Sequence, residues 1–408
     1  MRATILTLAC VLGIALSGTA RANSVFSVGG MGEPVLAEPA RIRALGGSGI
    51  AEHGPREISL VNPASLAEVD RLILEGTILP EMRRISTLSY PDETAKETIF
   101  PSLRGAIALP GRIVLGGAYV TARNAAFRVY GVASAGVPSA IRVDGAGGMN
   151  YVRVSLAHGV NQRFRIGVDY DFIVGNYIER WARTYADSGT QQGRDTLETN
   201  WDKKGRFRFG AQWVQGDFAL GGVYELSRAL TLETSRRAYG LYVKDPDRTL
   251  TLPSGFIVGF SAPVAGRLRA VAQYGRSGWD RSSLQSDLVD FRAEQRFSAG
   301  VERKRSTGDG LGLFERIPLR LGGYYLQWPD LLPLAGAADV NGGVDKVDEW
   351  GVSLGTGLTS QDRGGSVDFS LEAGSRGNRD TLGASEKFLR FAVSLLVSDE
   401  TWKGSFHR

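Results

Sequence analysis

The chain has 408 residues and few of the residue types that build thiol or metal chemistry. It contains one cysteine, Cys10, and three histidines, His53, His158 and His407. None of the histidines lies at a metal-ligand spacing, and the cysteine falls within the export signal predicted below. We therefore expect no disulfide, no metal site, no cofactor and no catalytic residue in the mature chain, and we predict that it is not an enzyme.

Long apolar runs are missing after the first twenty residues. Arg2 is followed by an apolar stretch over Ile5–Ser17 and by the small-residue site Ala20-Arg21-Ala22. This order is typical of a secretory signal peptide, and the apolar stretch is too short to cross a bilayer as a helix. We predict that residues 1–22 form the signal, that the mature chain begins at Asn23, and that the protein leaves the cytoplasm.

Dense blocks of positive charge are also missing. The formal net charge is +5, but the arginines are spread along the chain and no Lys/Arg cluster is interleaved with aromatic residues. Nucleic-acid binding is therefore not expected.

The sequence is rich in short segments in which every second residue is bulky and apolar. In the segment Arg163–Asp171, Phe164 and Ile166 belong to one face, whereas Arg163, Arg165 and Asp169 belong to the other. Successive side chains of a strand point to opposite faces, so the pattern predicts strands with one apolar and one polar face. Behind an export signal, such strands indicate a barrel whose apolar face meets lipid. Similar segments are Arg112–Val120, Arg206–Val214, Arg267–Tyr274, Trp350–Leu358, Val367–Ala373 and Leu389–Val397.

The connections between these segments alternate between short and long, as in bacterial outer-membrane barrels. The strand count is about fourteen if Arg71–Tyr90 is one strand bent at Pro80. The fold class is therefore predicted to be all-β, a transmembrane antiparallel barrel with both termini in the periplasm. Residues 71–408 would form the barrel. Residues 23–70 are rich in Gly and Pro, with a short helix near Ala64–Val69, and would form a separate plug segment.

Two N-terminal motifs resemble the start of a known family. Arg43–Ala51 reads Arg-Ala-Leu-Gly-Gly-Ser-Gly-Ile-Ala, and Asn62–Ala67 reads Asn-Pro-Ala-Ser-Leu-Ala. Together with the closing segment Glu386–Val397, they resemble the outer-membrane transport family typified by the long-chain fatty acid transporter FadL. Ser65 departs from the family pattern, which usually has Gly there. The resemblance implies a fourteen-stranded barrel with an internal N-terminal hatch. It also implies, in some members, sideways exit of cargo at a strand kink, for which Gly116-Gly117 is a candidate.

Three groups of candidate functional residues follow. The first would shape the plug, either as a movable hairpin or as a fixed seal, and comprises Gly46, Gly47, Gly49, Asn62, Pro63 and Ala64. The second makes two loops apolar, either for ligand contact or for packing of loop on loop, and comprises Tyr130, Val137, Trp328, Leu331 and Leu332. The third would line the lumen, as a track for a carboxylate or as an ordinary salt-bridge lattice, and comprises Arg163, Arg165, Arg206, Arg208 and Asp169.

The hypothesis that unites these observations is a channel in the bacterial outer membrane. It would take up hydrophobic small molecules such as long-chain fatty acids or hydrocarbons. The expected partners are outer-membrane lipid, the cargo, and the barrel-assembly machinery during biogenesis. The alternatives are a general porin, and a structural or secretion-associated barrel that docks other proteins.

Overall fold

Fourteen strands form one closed antiparallel barrel. The computed structural model describes residues 24–27, 32–54, 58–88, 91–132, 139–185, 191–238, 240–282, 292–306, 312–329, 346–359 and 364–399. The barrel strands are β1 Leu72–Thr87, β2 Glu93–Leu109, β3 Ile113–Asn124, β4 Ser139–Gly159, β5 Phe164–Tyr185, β6 Gly205–Gln215, β7 Phe218–Glu225, β8 Gly255–Ala265, β9 Leu268–Ser277, β10 Glu294–Arg303, β11 Leu319–Gln327, β12 Asp348–Thr359, β13 Gly365–Arg376 and β14 Ala384–Asp399.

Each of these strands pairs with its neighbours along the chain, and β1 closes the sheet against β14, from Leu72–Asp399 to Thr87–Ala384. The predicted fold class and the count of fourteen strands are confirmed. The strand that contains Pro80 is continuous, and its only register shift against β2 lies between Thr77 and Leu79.

Alternating burial separates the two faces of the wall. In β12, Val352 and Leu354 are exposed on the outer face, whereas Ser353 between them is buried. The outer face is therefore an apolar belt, and the enclosed face carries the polar and small residues. This arrangement is typical of barrels that span a membrane.

The two ends of the barrel differ in their connections. At one end, the turn end, most connections are short, such as residues 110–112, 160–163 and 216–217. The link between β10 and β11 is longer than predicted, because it covers residues 304–318 and includes a helix at Leu313–Arg316.

At the other end, the loop end, connections predicted as long loops are largely strands. They extend the wall because their residues pair in register with β4 and β5 or with one another. These strands are Phe127–Val132, Gln191–Trp201, Arg228–Ala238, Leu241–Lys244 and Arg248–Leu252. A 3-10 helix at Trp279–Arg281 and a helix at Arg379–Leu382 complete this end.

The N-terminal segment, meaning the described residues between 24 and 71, has little regular structure. It contains a 3-10 turn at Val25–Ser27, a strand at Glu33–Pro34, a helix α1 at Ala40–Arg43 and a 3-10 helix at Pro63–Glu68. Within the described residues, no helix is long and apolar enough to cross a membrane.

The N-terminal segment begins at the loop end of the barrel. The amide of Val25 donates to Glu386 near the start of β14, at 2.9 Å, whereas Asp399 ends that strand at the turn end. The prediction that both termini lie at the same end is therefore wrong for the described residues. From the loop end, the segment passes through the lumen to Leu72, where β1 begins at the turn end.

Candidate functional site

The first plug motif forms a tight turn after α1. The amides of Gly46 and Gly47 donate to the carbonyls of Arg43 and Ile42, each at 3.0 Å. Both glycines have positive φ, +69° and +87°, which residues with a side chain rarely adopt. Gly49 instead anchors the turn, because its amide donates to the Gln273 side chain on β9 at 3.1 Å.

The second plug motif is organised by a fully buried asparagine. Asn62 caps the 3-10 helix at Pro63–Glu68 through a bond from the amide of Ala64 to its Oδ1, at 3.0 Å. Its Nδ2 donates to the carbonyl of Ile50 at 2.9 Å and to that of Ala211 on β6 at 3.1 Å. One side chain therefore joins the two plug motifs to each other and to the wall.

A ring of glycines on the inner face receives this part of the segment. A Cβ built on Gly322 would lie 2.2 Å from the amide nitrogen of Gly46, and one on Gly210 would lie 2.3 Å from Oδ1 of Asn62. At every glycine of the ring, such a Cβ would lie within 2.2 to 2.9 Å of an atom of the N-terminal segment. The lumen glycine ring comprises Gly116, Gly167, Gly210, Gly221, Gly259, Gly300, Gly322 and Gly355.

The polar residues predicted for the lumen are mostly enclosed and paired. Arg208 contacts Asp169 at 2.9 Å and Glu225 at 2.7 Å, and also donates to the carbonyl of Val61 at 2.7 Å. Arg165 bonds Glu68 of the N-terminal segment. These partners favour a salt-bridge lattice over a carboxylate track.

Of the two remaining arginines of the predicted lumen group, one is enclosed and one is not. Arg206 lies 5.0 Å from the ring centroid of Tyr151 and 3.5 Å from Glu225, so it also belongs to the lattice. The prediction that Arg163 faces the lumen is wrong. It is exposed in the turn at residues 160–163, because β5 begins only at Phe164.

Sequence reasoning missed the charged contacts that join the N-terminal segment to β1 and β13. Arg43 pairs with Glu372 on β13 at 2.9 Å, a separation of 329 residues. Glu33 pairs with Arg83 at 2.9 Å and also with Arg376. No local sequence pattern indicates such partners, since barrel closure alone brings them together.

The wall contains a seam between β2 and β3. Their pairing runs from Leu109–Ile113 only as far as Ser102–Val120. Just beyond Ser102, Phe100 and Pro101 form a bulge against β1, and Pro101 has no N–H to donate. Above the bulge, the strand Glu33–Pro34 pairs with Arg123–Asn124 of β3 in place of β2.

The predicted kink at Gly116-Gly117 is not where the wall departs from regular pairing. Gly116 and Gly117 pair in register with β2 and with β4. The seam lies instead at Pro101, because a residue without an amide hydrogen ends the ladder more effectively than a glycine, which keeps its donor.

An apolar cluster fills the lumen toward the loop end, above the 3-10 helix of the N-terminal segment. Leu230 and Ile173 within it are fully buried, and Trp279 is 6% exposed. The loop-end apolar cluster comprises Leu60, Val120, Met149, Tyr151, Ile173, Leu230, Leu250, Leu252 and Trp279.

Two of the predicted ligand-contacting loop residues, Tyr130 and Trp328, are described by the structure, and neither belongs to this cluster. Tyr130 is half exposed on the strand Phe127–Val132. Trp328 is 1% exposed and packs against Phe26, with ring centroids 6.4 Å apart, which favours a packing role. Val137, Leu331 and Leu332 lie outside the described residues.

At the turn end, the mouth of the lumen carries exposed charges. Lys304 donates to Asp217, in the turn between β6 and β7, at 2.6 Å, and this hydrogen bond holds the pKa of Asp217 below its usual range. Across the described ranges, no group of His, Cys, Asp and Glu side chains could hold a metal ion.

Solved structures with the same fold are known. The chain is similar to a toluene transporter of Ralstonia pickettii, TbuX, with 16% identity, a TM-score of 0.54 and coverage of 90% of this chain and 98% of that one. For a FadL homologue of Pseudomonas aeruginosa, the identity is 15%, the TM-score 0.57 and the coverage 89% and 98%. For the Pseudomonas putida toluene transporter TodX, the values are 12%, 0.54, 90% and 99%. At these identities the likeness shows the fold.

Membership of a family rests on the sequence match. No curated protein matches the chain significantly. The family model described as BamG matches residues 1–239, which span the N-terminal segment and the strands β1 to β7. Because this match covers more than half of the 408 residues, the chain belongs to the BamG family.

Proposed function

We propose that the protein is a bacterial outer-membrane channel for the uptake of hydrophobic small molecules. The observation that carries the proposal is the loop-end apolar cluster, the largest of the buried apolar clusters, in a lumen that also holds many buried ion pairs. An enclosed apolar surface toward the loop end suits an apolar solute. The toluene transporters and the FadL homologue named above have the same fold and support the same substrate class.

In this proposal the N-terminal segment is a fixed plug rather than a movable hairpin. Its residue Ser48, for example, is buried. Its backbone lies against the lumen glycine ring, and Asn62 ties it to β6. Displacement would leave buried carbonyls and charged side chains without partners. Each unsatisfied group costs on the order of 1–3 kcal/mol. We therefore place the exit of cargo at the seam between β2 and β3 rather than along the barrel axis.

A general porin is the weaker alternative. The N-terminal segment contacts inner-face residues on strands around the whole barrel, from Gly116 on β3 to Ser394 on β14. We expect the purified protein to conduct ions poorly in planar bilayers. A large, stable conductance of the unmodified protein would favour the porin instead.

The channel is tested by binding of radiolabelled toluene and of a labelled long-chain fatty acid to the detergent-solubilised protein. Leu230→Asn places an amide in the apolar cluster, where Leu230 is fully buried. We expect this variant to lose about tenfold in affinity, since a buried unpaired amide costs on the order of 1–3 kcal/mol. The matched control is Leu241→Asn, because Leu241 is 71% exposed.

The failure of this test would be informative. If several apolar ligands show no saturable binding, the uptake proposal falls. A partner protein that co-purifies in stoichiometric amount would then favour a barrel that docks other proteins.

A further inference from the structure

A hairpin at the loop end carries a strand with an open edge. Its first arm, Arg228–Ala238, pairs on one side with the strand Gln191–Trp201 and on the other side with the second arm of the hairpin. The second arm consists of Leu241–Lys244 and Arg248–Leu252, whose registers against the first arm differ by one residue. Among the residues that the structure describes, none pairs with the other side of Leu241–Lys244.

Two residues of this strand present their backbone groups to the open side. The amide of Asp245 donates to the carbonyl of Thr234 in the first arm, at 2.9 Å. In an antiparallel pair, such bonds to one neighbour recur at every second residue. The N–H and C=O groups of Tyr242 and Lys244 therefore point away from the first arm, where a further strand would lie.

The side chains next to this open edge are exposed and mostly apolar. Leu241, Tyr242 and Val243 are 71%, 65% and 56% exposed. The hairpin pairs with the mostly polar strand Gln191–Trp201, so this part of the wall lies beyond the apolar belt that meets lipid. Apolar side chains exposed to water beside an unpaired backbone edge are typical of a surface that binds another chain.

The lower part of the second arm is protected against such pairing, whereas the upper part is not. Natural edge strands are shielded by proline, by charge or by a bulge. The irregular stretch that contains Pro246 and the exposed side chain of Arg248 shield the part near the barrel. The three residues from Leu241 to Val243 carry none of these features, so the upper part can accept a strand.

We infer that Leu241–Lys244 binds an extended segment of another polypeptide, which pairs as an added strand with the open groups of Tyr242 and Lys244. Two copies of this chain in one membrane have the same end outward, so their edges would meet in parallel, the less stable pairing. The partner is therefore a different chain. The strand contains no residue of the loop-end apolar cluster, so its binding does not depend on the proposed uptake function.

The test uses the full-length protein in detergent and the fluorescein-labelled peptide Glu-Val-Thr-Val-Thr-Val-Thr-Glu. Fluorescence anisotropy should show saturable binding of one peptide per chain. The same peptide with an N-methyl group on each Val and Thr cannot donate along either edge, and should bind at least tenfold more weakly. Isotope-labelled carbonyls of the unmethylated peptide should shift to the infrared frequency of a β-sheet on binding.

Substitutions at Tyr242 locate the peptide on the open edge. Tyr242→Pro removes an amide that faces the open side, where an edge strand tolerates proline, and should weaken peptide binding about tenfold or more. Tyr242→Val keeps the amide and an apolar side chain, so its affinity should stay within about twofold of that of the unmodified protein. If Tyr242→Pro does not fold, Lys244→Pro removes the other outward amide and replaces it in the test.

Four results would overturn the inference. Absence of saturable peptide binding would show that the edge accepts no strand, and equal binding of the N-methylated peptide would show apolar contact without strand pairing. Equal affinities of Tyr242→Pro and Tyr242→Val would place the peptide elsewhere. A dimer of the protein that Tyr242→Pro dissociates would make a second copy the partner. Because peptide binding and toluene binding are measured separately, failure of the uptake proposal and failure of this site can be told apart.

Discussion

The two halves of the N-terminal segment are held in different ways. The deep half, meaning the described residues 44–54 and 58–66, lies with its backbone against the lumen glycine ring, as Gly46 does against Gly322. The loop-end half, meaning the described residues 24–27 and 32–36, is held by charged side chains and by the two-residue strand Glu33–Pro34. The comparison teaches that close backbone packing, with an added ion pair between Glu52 and Arg269, fixes the deep half, whereas the loop-end half depends mainly on ion pairs that single substitutions can remove.

The physical difference is how steeply the two kinds of contact depend on the distance between the groups. Backbone packed at van der Waals contact cannot accept even one added carbon, since protein interiors are as dense as organic crystals. Ion pairs tolerate small shifts, because charge attraction falls off gradually with separation. Glu33 also has two arginine partners, so losing one contact leaves another.

The largest effect is expected from filling the glycine ring. Gly322→Ala places a Cβ 2.2 Å from the amide nitrogen of Gly46, so the deep half must shift. We expect a loss of about 3 kcal/mol in unfolding free energy, the upper end for overpacked cores. The heat-dependent shift in gel mobility should show unfolding at a lower temperature. Conductance in planar bilayers should show an increased leak.

The matched control for that variant is its neighbour on β11. A Cβ on Gly323 would meet its nearest atom, the carbonyl oxygen of Gly351, at 3.3 Å. Gly323→Ala should therefore be close to neutral. Equal effects of the two substitutions would show that contact with the deep half is not what the glycine provides.

Asn62→Ala should have the next largest effect. It removes the cap on Ala64 and the donors to Ile50 and Ala211. We expect a loss of about 2 kcal/mol in urea unfolding, since buried carbonyls lose partners. Asn161→Ala removes similar local bonds in an exposed turn, so it should cost less; an equal cost would contradict the proposed link.

Glu33→Gln should loosen the loop-end half alone. We expect the free energy of unfolding to fall by about 1 kcal/mol. This is below the usual cost of breaking a buried ion pair, because Arg83 and Arg376 keep other acidic partners. When Glu33→Gln is added to the single-cysteine variant V35C, maleimide labelling of that cysteine should become severalfold faster. The cysteine of S48C, in the deep half, should stay protected in the same background. Equal acceleration at both positions would show that the segment moves as one unit.

The smallest effect is expected at Arg163. Because this side chain is exposed in a turn, Arg163→Gln should change stability by no more than about 0.5 kcal/mol. Arg165→Gln, two residues later, should cost more, since Arg165 binds Glu68 and Gln212. Equal costs in thermal unfolding would place both side chains in the same environment.

Several features could be predicted because they are periodic or local. Alternation in segments such as Trp350–Leu358 predicted both the strand and its inner face. The turn at Gly46-Gly47 and the Asn62 cap followed from residue types with well-defined backbone preferences. The long connection after β5 was misjudged because its strand Gln191–Trp201 is rich in polar and charged residues and has no apolar face to mark it.

By itself, the sequence determined a chain that alternates between apolar and polar residues and has a turn-rich beginning, and it predicted an export signal. The tertiary structure alone decided which partners meet: Arg43 with Glu372, the glycine ring with the segment that follows α1, and Glu33–Pro34 with the open edge of β3. The reason is closure. Alternation is a property of neighbouring residues, whereas a closed barrel brings together residues hundreds of positions apart.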